Sequence, residues 1–233
     1  MTELHLADDG EAADLAAFLS RLLHYDRSAA VRLQAAGTAL AVFGRPPSFE
    51  VLAVRAVRLA KPYEDGLDIT LDVTVSAGEL LESVDERAGT AAVPGAVTGP
   101  PWAGVLPPRS GWRPEPGLPA PQALHATVAA AVREFRSRTA ELPPDGRTRG
   151  ALDRIGRDIW SRTVGTTGLP VRAVHAAQSL GFLRPAGATG VAGVNAADEV
   201  VLLSAGAWLR LRTPFGSVAV RRSGLGTLGV SVR

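Results

Sequence analysis

The sequence predicts an α+β protein with antiparallel sheet in both halves, a central proline-rich arm and a three-helix segment behind it. Three observations carry this. Short β-branched or alternating runs joined by glycine turns occur towards both ends of the chain. Nine of the 17 prolines fall between residues 88 and 121, a density that neither a helix nor an interior strand tolerates. Between that arm and the second strand region, apolar residues recur at helical spacing.

Residues 11–24 read as a first helix, because Ala13, Ala17, Leu22 and Leu23, with Leu15 and Phe18, form one broad apolar stripe. Strands at 30–35 and 38–43 flank Ala36-Gly37, where glycine supplies the turn. A β-branched run follows at 49–59. The segment 68–75 alternates cleanly, with Ile69, Leu71, Val73 and Val75 on one face and Asp68, Thr70, Asp72 and Thr74 on the other. Ser76 then caps a short helix reaching about residue 87, with Glu79 at the reciprocal capping-box position.

The arm, 88–121, carries Trp102 and Trp112, two of only four tryptophans. Aromatic residues that large are out of place in a free linker, so part of the arm is expected to lie on a neighbouring surface. Beyond it, Leu124, Val128, Ala131, Phe135 and Leu142 predict one helix. Leu152, Ile155 and Ile159 predict a second over 148–164, and Pro170 to Gly181 bound a third. Strands at 200–204, 208–212 and 217–222 close the chain, with a weak last strand at 229–232. The division is therefore an acidic α+β half at 1–87, the arm at 88–121, and a basic helical and β-hairpin half at 122–233.

The two strand regions echo each other. Residues 33–40, LQAAGTAL, lie over 202–209, LLSAGAWL; residues 49–55, FEVLAVR, lie over 215–221, FGSVAVR. The expectation is a pair of pseudo-duplicated helix–hairpin units, set against the plain alternative that Ala/Val/Gly-rich hairpins look alike by composition.

Composition excludes several chemistries. With no cysteine, there is no disulfide, thiolate metal site or cysteine nucleophile. Lys61 is the only lysine and precedes Pro62, so no Gly-Lys-Ser/Thr phosphate loop exists. Gly224-Leu-Gly226-Thr-Leu-Gly229 matches a dinucleotide fingerprint literally, but only four residues follow, too few for the helix that must meet the pyrophosphate. His5, His24, His125 and His175 show no metal-binding spacing. Asp68 and Asp72 would lie about 13 Å apart along a strand, wider than a glycosidase carboxylate pair. The densest polar cluster, His24-Tyr-Asp-Arg27, reads as a helix end and turn. No cofactor and no catalytic residue is assigned. The acidic amino-terminal residues and the lack of a long apolar run predict a cytoplasmic protein without membrane contact.

Charge placement is the remaining clue. Arginine supplies all but one of the 25 cations, which fits a GC-rich bacterial coding bias and is no evidence for nucleic acid by itself. Yet residues 1–108 hold eight cations and 15 acids, net −7, while 109–233 hold 17 cations and eight acids, net +9. On the 208–212 strand, Trp208, Arg210 and Arg212 share one face; with Arg221, Arg172 and Arg157 they form the expected partner-binding set. The first functional reading is a non-enzymatic adaptor or regulatory protein acting through protein contacts, including self-association of acidic and basic halves. The second is DNA binding by a winged-helix-like arrangement over 147–222, with Arg172 opening the recognition helix. The third is an enzyme built where His24, Tyr25 and carboxylates converge.

Overall fold

The computed structural model describes residues 2–61, 71–184 and 199–222. Its centre is one antiparallel sheet of eight strands running through both halves, where the sequence suggested a sheet in each. The first half supplies β2 (Ala30–Ala36), β3 (Ala39–Gly44), β4 (Leu52–Arg58) and β5 (Asp72–Ser76). The second supplies β8 (Arg113–Pro114), β9 (Val201–Ala205), β10 (Trp208–Thr213) and β11 (Gly216–Arg221). The order is β5-β2-β3-β4-β11-β10-β9-β8, so the halves join where β4 meets β11. Three short strands, β1 (Glu3–His5), β6 (Val84–Asp85) and β7 (Thr90–Ala92), form a small second sheet in the order β1-β7-β6.

Helices cover one face of the large sheet. Asp8 caps α1 (Asp9–Tyr25) by accepting the Glu11 N–H at 2.9 Å. Leu15, Phe18, Leu19 and Leu22 of α1 then pack into a core shared with Val31, Leu33, Leu40, Val42 and Ala53. Ser76 caps α2 (Ala77–Ser83), which stops four residues short of the predicted end because Val84 turns into β6. In the second half, α3 (Pro121–Ala140), α4 (Arg149–Trp160) and α5 (Val171–Ser179) follow the predicted order. Ala173, Val174, Ala176 and Ala177 of α5 meet Leu209, Leu211, Val218 and Val220 in the same core.

The arm covers the opposite face. Near one sheet edge, Ala96 bridges Val75 and the Val97 N–H donates to the Thr74 carbonyl at 2.9 Å. Trp102 and Leu106 then lie on Phe43, Leu52 and Val54. At the other edge, Arg113 and Pro114 pair with Ser204 and Leu203 of β9. One extended segment thus closes both edges that would otherwise invite pairing by another strand. Arg32 fastens it at mid-course, donating to the Ala103 carbonyl and forming a two-pronged pair with Asp72 at 2.7 and 2.9 Å. That guanidinium holds the Asp72 carboxyl below its usual range.

Counted outward from the seam, β4-β3-β2 corresponds to β11-β10-β9, whereas the outermost strands differ, β5 following its three strands in the chain and β8 preceding its own. The hairpin registers also correspond, with Ala35 opposite Leu40 in one and Ser204 opposite Leu209 in the other. Gly37 and Gly206 occupy the same turn position with φ of 57° and 53°. At the seam, Ala53 pairs with Val218 and Leu52 with Ala219. The alignment of 49–55 with 215–221 sets Ala53 against Ala219 and Leu52 against Val218, so exchanging the halves reproduces the pairing.

Candidate interaction face

The expected binding residues divide between the two sides of the sheet. Along β10, Leu209 and Leu211 are buried against α5, and Trp208, Arg210 and Arg212 therefore point to the face that the arm crosses. Arg221 stands opposite Trp208 in the β10–β11 register, its Cζ 5.2 Å from the indole ring. These four come together. Arg172 and Arg157 do not join them: Arg172 sits on α5, 3.7 Å from the Glu50 carboxylate, and Arg157 is exposed on α4, both on the helical side.

Two members of this face were not in the expected set. Trp112 reaches it from the arm, its indole N–H donating to the Pro108 carbonyl at 2.9 Å and its ring 5.7 Å from the Arg210 Cζ. Ser217, buried on β11, accepts a 2.8 Å hydrogen bond from Arg210 Nε. The presence of tryptophan in a proline-rich stretch was the available signal for the first. Nothing local marks the serine, which arrives through the β10–β11 register, directly opposite Arg212.

Arg210 is half-buried, and burial, followed by the proximity of Arg212, lowers its pKa. Among the described residues its partners are a hydroxyl and an aromatic ring, with no carboxylate. The acid that the arm brings to this end of the sheet, Glu115, is held by Ser204 and by Arg222 at 2.7 Å, which keeps its carboxyl below the usual range.

The helical side is differently organised. Two of its arginines lock α3 on α4: Arg162 grips Glu134 at 2.6 and 2.8 Å, and Arg138 bonds to Asp158. The β9–β10 hairpin is an interior part of the sheet between β11 and β8, so it is not a projecting wing. Nor is α5 an open recognition helix, because Val171, Ala173, Val174, Ala176 and Ala177 are buried. Its polar residues are engaged as well: Arg172 with Glu50, Gln178 with His125 at 3.3 Å, and His175 with aromatic rings.

His175 stacks on Trp160 with centroids 4.7 Å apart and meets the edge of Phe49 at 5.1 Å. Phe49 in turn contacts Tyr25, and Tyr25 contacts His24, so the predicted His24-Tyr25 cluster ends a ladder of rings between α1 and α4. Asp26 accepts from the Ser28 N–H and hydroxyl in the turn. Burial lowers the His175 pKa from its ordinary 6.5. The fold therefore favours the neutral ring. Below about pH 6.5 the unfolded chain takes up the proton first, and stability is lost as pH falls towards the folded value. His175→Phe keeps a ring and removes the proton. The wild type should lose melting temperature relative to this variant between about pH 7.5 and 5, and parallel pH curves would refute the assignment.

Among the described residues there is no group of three or more His, Asp or Glu side chains placed to hold a metal ion, and no helix is long and apolar enough to cross a membrane. Asp68, the glycine triplet at 224–229 and the weak strand at 229–232 lie outside the described residues.

Residues 1–104 match the family described as Domain of unknown function (DUF8010). No curated protein and no solved structure matches the chain. The two family segments meet inside the arm, close to where Trp102 and Leu106 cover the first half of the sheet. Residues 107–225, just over half of the sequence, match a second family model, and the chain accordingly belongs to the family described as Domain of unknown function (DUF8185).

Proposed function

We propose that this protein is a non-enzymatic cytoplasmic adaptor or regulatory protein that binds another protein through the arm-side face of β10 and β11. The carrying observation is the grouping of Trp208, Arg210, Arg212, Arg221 and Trp112 on one face, with Arg210 lacking a carboxylate partner among the described residues. Tryptophan and arginine dominate the energetically decisive centres of protein interfaces, because each combines a large contact area with directional polar groups. The sheet edges are occupied by the arm, which favours side-chain recognition on the face over addition of a strand.

The winged-helix reading is less well supported, since the helix and hairpin it needs are both packed inside the fold. Self-association through opposite charges also has limited support within the chain. Among the described residues, only the Arg184–Asp14 and Arg172–Glu50 ion pairs join the acidic and basic halves. The correspondence of the inner three strands, the hairpin register and the seam pairing supports descent of the two halves from one helix–hairpin unit, and the outermost strands, β5 and β8, stand outside it.

The test is affinity capture from the native lysate with the wild type and a Trp208→Ala/Arg210→Ala/Arg212→Ala variant. A partner retained by the first and lost by the folded second is the expected result. Identical partner sets would remove this face from consideration. Salt-dependent binding of the full chain to random duplex DNA would instead favour the nucleic-acid reading.

A further inference from the structure

We propose that Arg210 is the anchor of an anion-binding subsite on the arm side of the sheet, built to receive the carboxylate of an acidic side chain of a protein partner. The inference deepens the adaptor reading and rests on it for the source of the carboxylate.

A guanidinium withdrawn from water is costly unless it is paired, and folded proteins normally bring an acid to it. This chain does so repeatedly. Arg55 has Glu11 and Asp14, Arg32 has Asp72, Arg162 has Glu134, Arg184 has Asp14 and Arg222 has Glu115. Arg210 is the exception in kind. It is more withdrawn than the helix-surface arginines, yet it makes no ion pair among the described residues, and the charge that acts on it is another arginine, Arg212, two positions along the same strand.

Its surroundings pre-orient it for a planar anion. The hydrogen bond from Nε to Ser217 Oγ, 2.8 Å long, uses one side of the guanidinium and fixes its plane. The two terminal nitrogens then present the fork that matches a carboxylate with two parallel hydrogen bonds. Trp112 lies against the group, and Ala219, directly opposite Arg210 on β11, contributes only a methyl. Arg212 adds positive potential from the same strand face. Trp208 with Arg221 over its ring forms an aromatic flank at the end of β10.

The test uses the full-length protein as wild type, Arg210→Met and Arg157→Met, the last removing an exposed arginine of α4 outside the face. The probes are an acetylated, amidated tetraglutamate peptide, its tetraglutamine counterpart and inorganic phosphate. Tryptophan fluorescence, to which Trp112 and Trp208 contribute from the site, gives the affinity. Tetraglutamate should bind the wild type and Arg157→Met alike, and Arg210→Met about tenfold or more weakly, as expected for loss of a charged hydrogen-bonded pair. Tetraglutamine should not bind. In the absence of peptide, Arg210→Met should melt no lower than the wild type, because an unpaired half-buried charge has been removed. Equal tetraglutamate affinity in wild type and Arg210→Met overturns the proposal, as does a response to phosphate alone, which would assign a phosphate site. Should Arg210→Met unfold without cooperativity, Arg210→Lys, which keeps the charge and loses the fork, takes its place with the same expected loss. The two readings fail separately. Peptide binding through Arg210 with unchanged lysate capture leaves the subsite standing and removes the adaptor face; unchanged peptide binding in Arg210→Met with lost capture does the reverse.

Discussion

Arg55→Ala is expected to destabilise the protein by about 3–5 kcal/mol, the range for removing one partner of a buried ion pair. Arg55 is only 6% exposed at the centre of β4, and Glu11, at 8%, is buried with it. Its Nη2 donates to Glu11 at 2.8 Å and approaches Asp14 at 3.3 Å, while Nη1 donates to the Phe215 carbonyl at 2.9 Å. Arg58 extends the alternation outward, bridging Glu11 and Asp8 at 2.8 and 2.9 Å. Arg184 extends it across the seam, pairing with Asp14 at 2.8 Å and lying 4.2 Å above the Phe215 ring. Truncating Arg55 strands Glu11 in the interior and cuts a tie between the halves. Replacing both charges with apolar groups, as in Arg55→Met/Glu11→Leu, should recover most of the loss. Arg55 Nε is buried without a partner, and well-packed apolar groups of similar volume often match or exceed a buried ion pair in stability. Urea denaturation of both single variants and the double gives the coupling energy. A single-variant loss below about 1 kcal/mol would show that the interior charges are not balanced as described.

Gly216→Ala should cost about 3 kcal/mol, combining backbone strain with overpacking. Gly216 has φ of 149°, a conformation that side chains rarely adopt. A Cβ there would also fall 2.6–2.8 Å from three ring carbons of Phe182. That ring cannot simply yield: it is 2% exposed and stacked on Phe18 of α1 at 5.6 Å. Gly37→Ala provides the control, because Gly37 shares a positive φ, 57°, but a Cβ there meets nothing within 4 Å. It should cost about 1 kcal/mol, the strain alone. Phe182→Leu in the Gly216→Ala background should return part of the loss; full additivity of the two substitutions would separate the strain from the contact.

Helices α1, α3, α4 and α5 are legible because their apolar residues repeat at helical spacing, and the hairpins are legible from Gly37 and Gly206 between alternating runs. The 49–59 run starts pairing only at Leu52, because Glu50, with φ of 52°, turns the chain before the strand begins. Arg55 lies between Ala53 and Val57 on one strand face and takes a buried counter-ion. Its identity as Glu11 was beyond reach, since 44 residues separate the two. Strands β1, β6, β7 and β8, of two or three residues each, are too short to carry a period.

The sequence by itself determined the α+β class, the order of the major helices and strands, the proline-rich arm and the grouping of Trp208, Arg210 and Arg212 on one strand face. These follow from local periodicity, which a few neighbouring residues establish. Only the tertiary structure decided that both halves build one sheet, that the arm crosses its free face and closes its edges, and that Arg172 and Arg157 belong to the other side. It also brought Trp112 and Ser217 to Arg210. Those outcomes depend on hydrogen-bond pairing and burial between segments far apart in the chain, such as β4 against β11, and no local pattern encodes which distant partner satisfies a strand edge or a buried charge.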